Sequence, residues 1–325
     1  MKWTNRYNID PVIAQAVMTD DYEAVGDISV TRLVRPPQIT YLEHKHEKEL
    51  VQDVHDGLYA LEGRALHHIL AQGRYSSPHT TDPNEVTEVC GECGQPLPHK
   101  VDEMAEVGTV MQEHRLTVNY NGWTISGKFD VLYTETNILK DYKVSSVWSH
   151  ILGGKEDHEE QLNFYAYLAA VGVDHEGQHP LLQVDEARVV MWFRDWMKAQ
   201  VERDKQYPPL KVLEHRIPLW PAAGAELEFQ IKVKLHQAAR ERNSYPPCTP
   251  EERWARPDSW AVQKSGAKKA YRVFEEPALA EAMANSMSGY EVQHRPGENV
   301  RCARHCSVMD FCSQAKELGV VKSDA

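Results

Sequence analysis

The chain has 325 residues, 48 acidic against 36 basic side chains, a formal net charge of −12 and a hydrophobic fraction of 42%. That balance argues against a passive protein that coats nucleic acid through lysine and arginine contacts to phosphate, and the apolar fraction is too high for a mainly disordered chain. No signal peptide, long apolar span or repeat of 20 to 50 residues is visible, so the expectation is a cytoplasmic chain with no membrane partner.

The N-terminal segment to about Asp21 is expected to be loosely held. After ISVTRLVRPPQ (28–38), the stretch DGLYALEGRALHHILAQG (56–73) carries Leu58, Leu61, Leu66, Ile69 and Leu70 at helical spacing, with His67 four residues after Gly63. A histidine on a helix is by itself usually a satisfied structural residue. A polar insertion follows, from about Gln72 to Val107, holding Cys90 and Cys93 in VCGECGQ. Such a pair is half of a zinc knuckle; His79, His99 or a second chain would have to complete it, and an idle thiol pair is as good a reading.

The run from Trp123 to Tyr133, WTISGKFDVLY, alternates and is rich in β-formers, TETN has turn chemistry, and ILKDYKV alternates again, so a hairpin is predicted. With Thr134 to Asn137 as the turn, Asp130 faces Asp141, and Asp141 shares a face with Lys143 while Tyr142 points away. Two carboxylates beside one ammonium on a half-buried patch call for a divalent cation, since an uncompensated buried charge costs several kcal/mol. An ordinary surface salt bridge is the plainer alternative. Glu113, ahead of the hairpin, reads as a solvated strand-edge residue or as a further acidic ligand.

HEEQLNFYAYLAA (158–170) is a second predicted helix, with Gln161 and Tyr165 one turn apart; a packing or solvated face is the plain reading of that pair. ARVVMWF (187–193) suits a buried strand, with Trp192 expected in the core and Trp196 a candidate for stacking on bases. LEHRIPLW (213–220) is another strand, followed by a long helix from about Ala225 to Arg242. Lys232, Lys234, Arg240 and Arg242 on that helix, and Lys264, Lys268, Lys269 and Arg272 beyond it, are candidate phosphate contacts or simply solvated faces. Cys248, Cys302, Cys306 and Cys312 form a second constellation. In a cytosolic chain four clustered thiols point to a metal, either tetrahedral zinc or a four-iron cluster, or to merely buried thiols.

Four ordered motifs, GRALH (Gly63–His67), GKFD (Gly127–Asp130), DYK (Asp141–Lys143) and QLNFY (Gln161–Tyr165), together with the C-terminal cysteines, resemble the RecB-like branch of the PD-(D/E)XK nuclease superfamily across most of the chain. Phe129 stands where the superfamily name has proline. The resemblance implies an α/β fold, a restriction-endonuclease-like core with a central mixed β-sheet flanked by helices, and a cysteine-ligated C-terminal lobe. It implies four parts: 1–71 as the N-terminal helical part of the core, 72–107 as the insertion, 108–220 as the catalytic core and 221–325 as the lobe.

By the same resemblance His67, Asp130, Asp141 and the Tyr142 carbonyl would hold Mg2+ or Mn2+. Lys143 would orient or activate the attacking water, with a pKa lowered by the metal if it is to accept a proton. Gln161 and Tyr165 would shape the site or hold the nucleic-acid backbone, and His68 is a weaker candidate than His67. The C-terminal trio with one distant cysteine would hold a 4Fe-4S cluster, with Zn2+ as the alternative. Relatives usually place that distant cysteine near the N-terminus. Here no cysteine precedes Cys90 and Pro36 stands in the corresponding stretch, so Cys248 is expected as the fourth ligand.

The activity implied is that of a metal-dependent DNA exonuclease in recombination or end processing, of phage or bacterial type, with a helicase or recombinase as a candidate partner. The chain has no phosphate loop of its own to drive a motor. A non-catalytic nucleic-acid-binding or scaffold protein that keeps the fold, and a structure-specific or restriction-type endonuclease, are the alternatives.

Overall fold

The computed structural model describes residues 1–19, 24–72, 110–151 and 156–320. The insertion with Cys90, Cys93, His79 and His99, and the last five residues, lie outside them. In chain order the elements are β1 (Lys2–Thr4), α1 (Pro11–Met18), β2 (Ile28–Ser29), α2 (Val30–Leu33), α3 (Pro37–Lys45), β3 (Val51–Asp53), α4 (Val54–Gln72), β4 (Val110–Tyr120), β5 (Trp123–Tyr133) and β6 (Ile138–Ser145). Then follow α5 (Val147–Ile151), α6 (Glu156–Val171), β7 (Glu186–Phe193), α7 (Lys198–Val201), β8 (Val212–Ile217), α8 (Ala222–Arg242), β9 (Ala255–Arg256), β10 (Ser259–Lys264), β11 (Arg272–Phe274), α9 (Pro277–Asn285), β12 (Tyr290–Arg295), β13 (Glu298–Asn299), α10 (Val300–Arg304) and α11 (Ser313–Glu317). Among the described residues no helix is long and apolar enough to cross a membrane.

The chain forms two compact units, one of residues 3–35 and 53–234, the other of residues 1–2, 36–52 and 235–325. The division falls inside α8 and not at residue 221, and residues 36–52, expected in the N-terminal part of the core, belong with the C-terminal unit. No local pattern announces this, because which distant segment a short helix packs on is a property of topology.

The first unit is a mixed α/β layer structure around a six-stranded sheet, ordered β2-β5-β6-β7-β8 with β4 also paired to β5. β4 runs antiparallel along nearly all of β5. On its other edge β5 pairs with β2 only at Ile125 and Ser126, and with β6 only from Val131 to Tyr133. The sheet therefore forks between Ser126 and Val131, and Asp130 lies at the fork. β6 and β7 are parallel, which requires a crossover, and α5 and α6 supply it.

The core shows why these residues choose these elements. Ile125, Phe129 and Leu132 of β5, Leu139 of β6, Val189, Met191 and Phe193 of β7, and Leu162, Phe164 and Leu168 of α6 are almost wholly buried, each contributing roughly 1.5–3 kcal/mol by burial. β5 passes close under α6 at Gly127, where an added Cβ would lie 2.7 Å from the Leu168 side chain and 3.1 Å from the Tyr165 ring. Asn163, also buried, donates to the Glu159 and Pro218 carbonyls and accepts from the Trp220 N–H, so its polar groups are satisfied inside the core.

The N-terminal segment is better held than its sequence suggests. α1 packs Ala14 and Val17 against Val54 of α4, and Arg64 donates to the carbonyls of Ala16, Val17 and Thr19. Asp53, 3% exposed, accepts from the Thr4 hydroxyl, from the Arg6 N–H and guanidinium, and from the His55 N–H. These bonds hold its carboxyl well below the usual carboxylate range, the Arg6 N–H being the main cause.

In the second unit, β11, β10 and β12 form an antiparallel sheet that packs Val262 against Ala280 and Ala284 of α9. This small sheet, inserted between Cys248 and the other three cysteines, is absent from the sequence-based outline. A separate core joins Ile39 and Leu42 of α3 to Leu50, Cys248, Val308, Cys312 and Ala315.

Candidate metal centre and cysteine cluster

The hairpin carries the first constellation. Its turn spans Thr134 to Asn137 and its ladder ends at Val131 opposite Lys140. Asp130 therefore does not continue the ladder toward Asp141. Instead its Oδ2 accepts the Tyr142 backbone N–H at 2.6 Å, which closes the fork with a charged acceptor.

α4 brings His67 to the same place. Its Nε2 lies 3.0 Å from the Tyr142 carbonyl. A carbonyl can only accept, so Nε2 carries the hydrogen and Nδ1 turns to Asp130 at 3.3 Å and Glu113 at 3.9 Å. Hydrogen bonding to Asp130 and then to Glu113 outweighs burial and raises the His67 pKa to about 10. The Tyr142 carbonyl, expected as a metal ligand, here fixes the orientation of the imidazole.

Glu113 is the residue that sequence reasoning undervalued. The β4–β5 register pairs Gln112 with Val131 and His114 with Phe129, which sets Glu113 opposite Asp130. Glu113 has φ +49°, in the left-handed region that a residue with a side chain adopts only at a cost. Its side chain is 26% exposed and is ion-paired with Lys128. Donor atoms of His67, Glu113 and Asp130 all lie within 4.8 Å of one another. One imidazole and two carboxylates are a donor set that suits magnesium or manganese.

Asp141 stands outside that set of three. It is 2% exposed, and its Oδ2 lies 2.6 Å from the Lys143 ammonium. Burial raises the Asp141 pKa against the pull of Lys143. For Lys143, burial disfavours the charge, but Asp141, Tyr165 and Asp130 together outweigh it and the pKa is raised. The protein's own groups therefore hold Lys143 as an ammonium.

Gln161 and Tyr165 of α6 are brought beside this pair. They are 6% and 4% exposed, and Gln161 Nε2 donates to the Tyr165 hydroxyl at 3.0 Å. Burial, with Asp141 nearby, pushes the Tyr165 pKa up to about 12. Both are packed into the interior beside the Asp141–Lys143 pair. His68 is exposed and meets Gln72 at 2.8 Å, away from the carboxylates. Lys232, a candidate phosphate contact, is ion-paired with Glu160 at 2.8 Å. Lys234 lies 5.8 Å from the centre of the Tyr120 ring.

In the second unit the four cysteines line one cleft and none forms a disulfide. No three of their sulfurs lie within 4.8 Å of one another, whereas ligands of one tetrahedral zinc at about 2.3 Å would all be roughly 3.8 Å apart. Gln38 of α3, 2% exposed, donates to Cys312 Sγ at 3.1 Å and accepts from the Cys248 N–H at 3.0 Å. Gln314 also accepts from that N–H and donates to the Cys248 carbonyl. Burial, then Glu252 and the neighbouring thiols, push Cys248 up to about 12, and burial raises Cys302 and Cys306. Four free thiols, three of them with raised pKa values, are thus gathered at one cleft.

No protein-family profile and no curated protein sequence matches this chain. Among solved structures it is similar to SSO0001, with TM-score 0.37 and 15% identity over 69% of this chain and 84% of that one. It is also similar to a phage-related exonuclease from Haemophilus somnus 129PT, with TM-score 0.29 and 13% identity over 44% of this chain and 66% of that one. Likenesses this low say nothing of function.

Proposed function

We propose that this chain is a metal-dependent nuclease of the RecB-like PD-(D/E)XK kind, acting as a DNA exonuclease in recombination or end processing. The convergence of His67, Glu113 and Asp130 within 4.8 Å of one another carries the reading. Asp141 and Lys143 lie on the same hairpin as Asp130. His67, Glu113 and Asp130 would hold Mg2+ or Mn2+, which supplies a water of lowered pKa and neutralises charge on the scissile phosphate.

The chain's own groups do the rest. Asp141 fixes the Lys143 ammonium, which donates hydrogen bonds to the attacking water or to a phosphate oxygen and steadies the charge that builds there. Gln161 and Tyr165 form the dry floor under Asp141. The His67 Nε2–H bond to the Tyr142 carbonyl keeps Nδ1 aimed at the metal position. The four cysteines would hold a 4Fe-4S cluster in preference to one zinc, a reading supported by the spread of their sulfurs.

Linear and circular single-stranded DNA, end-labelled where an end exists, is digested with Mg2+ or Mn2+. Release of short labelled products from linear DNA alone is expected, with activity lost in Lys143→Ala at unchanged folding. Cutting of circles would favour an endonuclease, and wild-type rates in Lys143→Ala would remove that residue from the chemistry. Anaerobically purified protein should be brown, and Cys306→Ala should be colourless and less soluble; a colourless wild type binding one zinc would overturn the cluster.

A further inference from the structure

Trp192 was expected in the core and is not there. It is 39% exposed, whereas Trp196 packs against the core and donates its indole N–H to the Pro208 carbonyl. Arg194 follows directly on the end of β7, two residues beyond Trp192. The Arg194 guanidinium lies over the ring of Tyr59 on α4, 4.1 Å from its centre, and the Lys211 ammonium lies 5.7 Å from the centre of the Trp192 ring. Tyr59 is 55% exposed, and Arg194 and Lys211 are exposed. Two exposed cation–ring pairs, Arg194 with Tyr59 and Lys211 with Trp192, thus lie near the C-terminal end of β7.

Arg194 and Tyr59 link this surface to the metal centre, whereas Trp192, paired with Val144, lies on the sheet face away from Asp141 and Lys143. Arg194 N–H donates to the Ser145 carbonyl, which places it at the C-terminal end of β6, the strand that carries Asp141 and Lys143. Tyr59, Gly63 and His67 follow one another at four-residue spacing along one side of α4, so Tyr59 stands about 12 Å from His67 along the helix. Between them a Cβ on Gly63 would meet nothing within 4 Å among the described residues. That open position leaves a path along the helix.

We infer that Tyr59, Trp192, Arg194 and Lys211 form a platform that receives single-stranded nucleic acid and feeds it past Gly63 to the His67–Asp130 site. This deepens the nuclease reading and rests on it. Bases stack on exposed rings whatever their identity, and phosphates pair with cations between them. A duplex, whose bases are already stacked on each other, gains only the cation contacts.

Binding is measured without divalent ions by fluorescence anisotropy of labelled oligo-dT and of a blunt duplex. The wild type should prefer the single strand. Tyr59→Ala and Trp192→Ala should each weaken it about tenfold, and Tyr59→Phe should restore it. Arg194→Ala and Lys211→Ala should each flatten the dependence of log affinity on log salt by about 0.7. Tyr271→Ala, which removes an exposed tyrosine of the other unit, should change nothing. Wild-type oligo-dT binding in the Tyr59 and Trp192 variants, or equal losses for duplex and single strand, overturns the platform and leaves the nuclease reading standing. A wild type that neither binds nor degrades DNA overturns both.

Discussion

Gly127→Ala tests how β5 and α6 frame the candidate centre. The new Cβ would lie 2.7 Å from Leu168 Cδ2 and 3.1 Å from two atoms of the Tyr165 ring. Leu168 is 1% exposed and Tyr165 4%, so neither side chain can swing into solvent to make room. Overpacking of this kind costs about 1–3 kcal/mol. Replacing glycine by alanine in a strand offsets this by roughly 0.5–1 kcal/mol, which leaves a net loss centred on about 1 kcal/mol. Urea denaturation at pH 7 should show a lower midpoint at an unchanged slope. The variant should also lose nuclease activity beyond its loss of stability, because the displaced ring belongs to Tyr165, the hydrogen-bond partner of Gln161. A midpoint equal to or above the wild type would mean that α6 does not press on β5, and the account of the pocket floor would fall with it.

Gly63→Ala, in contrast, fills open space inside α4 and should stabilise the chain by about 1 kcal/mol in the same titration; a loss would mean that the position is crowded. The depressed pKa of Asp53 works in the acid range: its folded value lies below the unfolded one of about 3.9, so its stabilisation is complete above that pH and is lost as pH falls toward the folded value. Asp53→Asn should therefore flatten the fall in urea midpoint between pH 5 and pH 2.5, and an unchanged slope would remove Asp53 as its source. His67 has the opposite sign. Its pKa is raised to about 10, so its stabilisation is complete below the ordinary histidine range and is lost as pH rises toward 10. In chelator, the midpoint should fall between pH 7 and pH 10 in the wild type and fall less in His67→Gln, where the thiols with raised pKa values remain to titrate; equal falls would remove His67 as a source.

What could be read from sequence was local and periodic. Alternation in WTISGKFDVLY and ILKDYKV located the hairpin, and apolar spacing located α4 and α6. Glu113 reads from sequence only as a secondary candidate because a glutamate on a strand carries no mark of what lies opposite; only the β4–β5 register sets it against Asp130, and its left-handed backbone has no signature in a glutamate. The two tryptophans were misjudged for a related reason. ARVVMWF is a continuous apolar run, which reads as a strand buried on both faces, yet the face that carries Trp192 opens to solvent at its end. The ion pair of Asp141 with Lys143 follows from their spacing on one strand. That it competes with metal ligation by Asp141 needed the third dimension.

The net charge of −12 does not tell against a polyanionic substrate once the acids are placed. Glu113, Asp130 and Asp141 lie in the candidate centre, where a divalent cation would offset them. Glu214 pairs with Lys140 and Arg188, Glu186 with Arg188 and Arg216, and Glu160 with Lys232. These pairs neutralise both signs on β6, β7, β8 and α8, and they take with them basic residues that a sequence count would have offered to phosphate. Arg194 and Lys211 meet aromatic rings instead. A single strand guided by those two cations would feel a local field opposite in sign to the average of the chain, and local potential governs association at distances within the Debye length of about 8 Å.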